Sequence, residues 1–143
     1  MNWDKVWSWS FSIGVIAVFG VLLHAAGTVT LVEETIGAVK QIKWTFTTDS
    51  SGDADQITTK VYDGKVIGLI TDPTDPLSDN WDLVINDANG YDVLVGAGAN
   101  RDTTVTEFVQ DPALLGSVST STLNMVVSNA GAVSGGIVLV LIR

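Results

Sequence analysis

The sequence predicts a mainly β fold: an antiparallel β-sandwich or jelly-roll-like domain over residues 28–143, preceded by one hydrophobic helix within residues 1–27. Three observations carry that prediction. From Thr28 onward, apolar and polar residues alternate at period two, the spacing of a strand with one buried face. The alternating runs are short, closed by clusters of turn formers, and separated by no helical stretch, which is the pattern of antiparallel sheets. Before Thr28 the pattern is different, because Val6 to Val32 holds 27 residues without Asp, Glu, Lys or Arg. A chain of 143 residues suffices for one core of ordinary size.

The first element is the stretch WSWSFSIGVIAVFGVLLHAAGTVT, residues 7–30. Phe11 to Leu23 is apolar all round except for Ser12, which excludes a surface amphipathic helix. A helix from Trp7 to Gly27 would be roughly 31 Å long at ~1.5 Å per residue, near the thickness of a bilayer's hydrocarbon core. Trp3, Trp7 and Trp9 sit where an interfacial aromatic belt would lie. A signal peptide fits nearly as well, with cleavage permitted after Ala25-Ala26-Gly27, although Asp4 offsets Lys5 in the basic region it needs. The expectation is a retained segment that docks or anchors the domain. At helical spacing Ser10, Gly14, Ala17, Val21 and His24 fall on one stripe, small at one end, and with Trp7 they are the assembly or anchor candidates. His24 is the only histidine, so it reads as a helix-end or interface residue rather than a ligand or base.

The β-rich runs follow in order. TVTLVE at residues 28–33 adds a first strand, and in KQIKWTFTT the residues Ile42, Trp44 and Phe46 oppose Lys43, Thr45 and Thr47. QITTKVYD, KVIGLIT, WDLVIND, YDVLV, TTVTEFV, TLNMVVSN and GGIVLVLI come next. Two connections have the residues of two-residue hairpins, Asp63-Gly64 and Asn89-Gly90. The last run, Ile137 to Ile142, is apolar on both faces, which predicts a central strand or one covered by a neighbouring subunit.

Charge narrows the function. Sixteen acidic against seven basic residues give a net charge of −9, and Asp49 to Asp111 alone carries 13 carboxylates against Lys60, Lys65 and Arg101. Such a surface repels phosphate backbones, so no nucleic-acid partner is expected. There is no cysteine, hence no disulfide and no thiolate chemistry. The single histidine lies far in sequence from the acidic loops, and no glycine-rich phosphate loop opens a helix, so no enzyme is expected. Calcium is the one cofactor the acidic loops suggest. Its candidate ligands are Asp49, Asp53 and Asp55 in one loop, and Asp87, Asn89 and Asp92 around a hairpin; Asp72, Asp75, Asp79 and Asp82 crowd a third segment. Asp and Asn are also the ordinary residues of turns, where they bond the backbone two residues on.

Three phrases give the chain a likeness: VEETIGAVKQIKWTFTTDSSGDA, DNWDLVINDANGYDVLVGAGANRDT and TLNMVVSNAGAVSGGIVLVLIR. Over roughly Thr28 to Arg143 it resembles small β-sandwich structural proteins of tailed-bacteriophage particles, the head-decoration or tail-associated components. The resemblance implies a virion location, a homo-oligomer and other virion structural proteins as partners, and it brings no catalytic residue with it. The uncharged first 27 residues depart from that family, whose members would begin near Gly27. The alternative is a cell-envelope binding module, exported or held in the membrane through residues 7–27, with calcium or a ligand in its acidic loops.

Overall fold

The structure, a computed structural model, describes residues 27–75, 77–78, 80–110 and 114–143. The expected N-terminal helix lies outside the described residues, and with it Trp7, Ser10, Gly14, Ala17, Val21 and His24. The described residues are mainly β, with strands β1 (Thr28–Ile36), β2 (Val39–Thr47), β3 (Ala54–Ile57), β4 (Tyr62–Pro73), β5 (Asp82–Asp87), β6 (Glu107–Val109), β7 (Ser117–Ser121), β8 (Leu123–Ser128) and β9 (Gly135–Ile142). They form a six-stranded sheet of order β1-β2-β9-β4-β6, with β7 also on β4, and a three-stranded sheet of order β3-β8-β5. Every pairing is antiparallel.

The alternation read from the sequence sets the faces. Ile42, Trp44 and Phe46 of β2 are buried while Lys43, Thr45 and Thr47 are exposed. Val138, Val140 and Ile142 of β9 and Val66 and Leu69 of β4 complete the inner face of the large sheet. They share one hydrophobic cluster with Leu83 and Ile85 of β5 and Leu123, Met125 and Val127 of β8, so the two sheets close on a single core. Trp81, fully buried at the mouth of β5, meets Phe46 with ring centroids 5.5 Å apart and planes tilted by 56°. Its indole N–H donates to Asp102 O at 3.0 Å, which satisfies the polar end of a large apolar group. The run Ile137 to Ile142 is central as expected, lying between β2 and β4.

Several local expectations are corrected. Asp63-Gly64 is not a hairpin: β4 runs unbroken through it, and the register against β7 shifts between Tyr62 and Gly64. Gly64 has φ +124°, and a Cβ there would lie 2.5 Å from Arg143 O, so the bulge admits only glycine beside the chain's last residue. Lys65 N–H donates to Arg143 O at 2.8 Å, and Arg143 N–H returns a bond to Lys65 O at 2.9 Å. Asn89-Gly90 does turn a hairpin, but through a three-residue loop. Gly90 N–H bonds Asp87 O at 3.0 Å, Asp87 N–H bonds Tyr91 O at 2.9 Å, and of the pair only Gly90 has positive φ, +83°. That is a type I turn followed by a glycine bulge, since the two-residue form would need positive φ at Asn89 too. YDVLV is not a strand. From Asp92 the chain winds through successive turns, with Val95 N–H on Asp92 O, Ala97 N–H on Leu94 O and Ala99 N–H on Gly96 O, at 3.1, 3.0 and 3.2 Å. QITTKVYD divides between β3 and β4, TTVTEFV supplies only the short β6, and β7 arises in SVSTS, which the alternation did not mark.

Candidate functional site

Asp49 Oδ1 accepts from Ser51 N–H at 2.7 Å and Asp53 N–H at 3.0 Å, closing the loop that precedes β3. Asp87 Oδ1 accepts from Asn89 N–H at 2.8 Å and Tyr91 N–H at 2.9 Å, while Asn89 Nδ2 donates to Asp87 Oδ2 at 3.4 Å. The bond from Tyr91, helped by those from Asn89 and Gly90, holds the Asp87 carboxyl below the usual aspartate range. Asp92 Oδ1 accepts from Leu94 N–H at 3.0 Å and its Oδ2 from Gly96 N–H at 2.8 Å, which is what curls the segment after it. Asp102 repeats the device on Thr104 N–H and Val105 N–H, at 2.7 and 2.8 Å, and those two bonds likewise lower its carboxyl.

The proposed calcium ligands are therefore divided. The structure brings Asp87, Asn89 and Asp92 to one hairpin, with carboxylate oxygens turned onto backbone amides. Asp49 does the same in its own loop. Asp53 and Asp55 instead line a hollow of about 300 Å³ on the outer side of β3 and β8, with Asn124, Val126 and Ser128. Asn124 Oδ1 is buried there without a hydrogen-bond partner among the described residues. Elsewhere Asp72 Oδ1 accepts from Thr106 Oγ1 at 2.5 Å, and Asp82 accepts from Asn100 N–H at 2.9 Å and Asn129 Nδ2 at 3.1 Å. Among the described residues no group of three or more His, Cys, Asp or Glu side chains is arranged to hold a metal ion.

Two features escaped the sequence. Glu33 of β1 gathers three donors: Thr59 Oγ1, Lys60 N–H at 3.1 Å and the Tyr62 hydroxyl at 2.9 Å. Partial burial pushes its carboxyl up, but these bonds outweigh burial and leave it below the ordinary value of 4.5. Burial, then the bond and charge of Glu33, push the Tyr62 phenol above its ordinary 10.0. The second feature is the outer face of the large sheet, where Phe108 is 51 % and Val32 44 % exposed around half-buried Leu139, Leu141 and Ile70. The signal for it was present in the two-faced apolar run of β9; its neighbours on β4 and β6 were not foreseeable without the strand order. Among the described residues no helix is long and apolar enough to cross a membrane. Compared with protein families, curated proteins and solved structures, the chain matches none.

Proposed function

We propose that this chain is a structural component of a virus particle, of the head-decoration or tail-associated kind. In this reading residues 28–143 form a β-sandwich module with no catalytic role, and residues 1–27 a hydrophobic helix that docks it. The observation that carries the reading is where the three resembling phrases fall. They supply the second half of β1 with β2, β5 with the turns that follow it, and the successive strands β8 and β9 of the two sheets, and hence most of the buried core. The likeness thus rests on the framework of the fold, which is what a shell or fibre subunit offers its neighbours. The loops support it as well: their carboxylates lock turns and leave a solvated, anionic rim. Mass spectrometry of purified particles tests the proposal. The chain at full-length mass is the expected result, and its absence from particles, or unaltered assembly after deletion of residues 1–27, overturns it.

The hollow bounded by Asp53, Asp55 and the unpartnered Asn124 Oδ1 favours a second reading, an envelope module that holds calcium. Calorimetric titration of the full chain with calcium would show saturable heat that Asp55→Asn abolishes. Absence of heat removes this reading.

A further inference from the structure

Period two places a matched set of residues on the outer face of the large sheet. Val32 stands opposite Lys43, Lys43 opposite Leu139, Leu139 opposite Ile70, and Ile70 opposite Phe108, so one row crosses β1, β2, β9, β4 and β6. Their chain neighbours Ile42, Trp44, Val138, Val140, Leu69 and Thr71 are buried, which turns this row away from the core. Phe108 stands at one end of the row, packed on one side over Gly68 and Leu141 and 51 % exposed on the other. At the opposite end a hollow of about 300 Å³ is lined by Val32, Glu34, Gln41, Lys43 and Leu139. Ring and hollow lie on opposite sides of β9: the ring extends from β6 over Gly68 of β4 and the hollow spans β1, β2 and the near edge of β9, each offset by one to two strands, about 5–10 Å at ~4.8 Å per strand.

We propose that this face docks a second copy of the chain about a two-fold axis running along β9. A protruding group and a recess at equal and opposite offsets from one line are what an isologous interface requires. Rotation about β9 lays β6 of each copy over β1 of the other, and the Phe108 ring, which leans over Gly68 of β4, faces the hollow between β1 and β9. The same rotation brings Leu139 onto Leu139 and β2 onto β4. Lys43, which has no ion-pair or hydrogen-bond partner among the described residues, then lies over Ile70 with Asp72 one outward position further along β4. That spacing of about 7 Å is within reach of a lysine side chain. The four longer strands cover about 19 by 27 Å and three-residue β6 adds about 5 by 10 Å, roughly 570 Å² before side-chain relief, against the ~800 Å² per partner of a standard interface. Pairing also covers an apolar patch on an otherwise acidic surface. The inference deepens the assembly reading above and rests on it for its setting.

The sequence has no cysteine, so single thiols report the geometry cleanly. In the full-length chain, Leu139→Cys is expected to give a covalent dimer with a short bifunctional thiol cross-linker, since stacked sheets lie about 10 Å apart, beyond disulfide reach, and Val84→Cys, on the outer side of β5, is not. Lys43→Glu is expected to weaken association at least tenfold by sedimentation, and Lys43→Glu with Asp72→Lys to restore it. Equal cross-linking at residues 84 and 139, or a double variant no better than Lys43→Glu, overturns the proposal and gives the face to residues of the same chain or to another protein. Particle association separates the two readings. A chain that co-purifies with particles yet never cross-links through residue 139 sinks the face alone. A chain that cross-links but is absent from particles sinks the virion role alone.

Discussion

Glu33 and Tyr62 show how single side chains contribute to the pH limits of this fold, Glu33 alongside the lowered carboxyls of Asp87 and Asp102. The Glu33 carboxyl lies below its ordinary 4.5 because three donors favour the ion. Its contribution to stability is therefore complete above about pH 4.5 and is lost as pH falls through the folded value. The Tyr62 phenol lies above its ordinary 10.0, so its contribution is complete below that pH and is lost as pH rises toward the folded value. Chemical denaturation across pH should then show stability falling at both ends, with Glu33→Gln flattening the acid limb and Tyr62→Phe the alkaline limb. At neutral pH Tyr62→Phe should cost about 1 kcal/mol, the worth of the bond it gives to Glu33. Acid slopes that Glu33→Gln leaves unchanged would show that other carboxylates carry the limb. Val95 is a second residue-scale case. It is exposed with φ +54°, where a β-branched side chain crowds its own backbone. Val95→Gly should raise the thermal midpoint, by about 1 kcal/mol of stability, in contrast to the usual cost of introducing glycine.

At the scale of elements, two glycines that look alike in sequence are predicted to behave differently. Gly64 and Gly90 both follow a turn-forming Asp or Asn, and both have positive φ, +124° and +83°. A Cβ at Gly90 meets nothing within 4 Å, whereas one at Gly64 meets the Arg143 carbonyl oxygen at 2.5 Å and its carbon at 2.9 Å. Gly90→Ala should cost about 1 kcal/mol of conformational strain, and Gly64→Ala upward of about 2–3 kcal/mol with loosening of the C-terminal residue from β4. Equilibrium unfolding of the two variants gives the comparison, and equal losses would refute it. The same pair shows what was legible. Asp-Gly and Asn-Gly announce positive φ, but a hairpin, a glycine bulge within a strand and a type I turn all use it. Which one forms depends on what lies beside it, and for Gly64 that is a residue 79 positions later. YDVLV has the composition of a strand, and the Asp92 carboxylate overrides it by taking the amides of Leu94 and Gly96. The calcium candidates failed to separate for a related reason: a metal loop and an Asx turn use the same side chains, and only direction tells them apart.

Across the described residues, the mainly β, antiparallel class was legible and the strand order was not, because alternation names the buried face of a strand without naming its neighbours. That order carries a consequence for folding. β9, the last of the described strands in sequence, lies between β2 and β4, so the large sheet has no continuous path without it. The fit there is close: a Cβ at Gly136 would sit 2.7 Å from the Phe46 ring, and Trp44 and Ile42 pair directly with Val138 and Val140. Without β9 the β1–β2 hairpin loses the one other strand it pairs with among the described residues, and the inner faces of β2 and β4 part company. A chain ending at Ser134 should therefore lack a cooperative thermal transition and near-ultraviolet dichroism from Trp44 and Trp81. A chain beginning at Gly27 retains every residue of the described cluster and should keep both. Refolding of the intact domain should be slow for its size, in milliseconds to seconds, because β2 must wait for a partner some 90 residues away. Stopped-flow fluorescence measures that rate. Folding in microseconds, or a native-like transition in the chain ending at Ser134, would show that the two sheets form without their central strand.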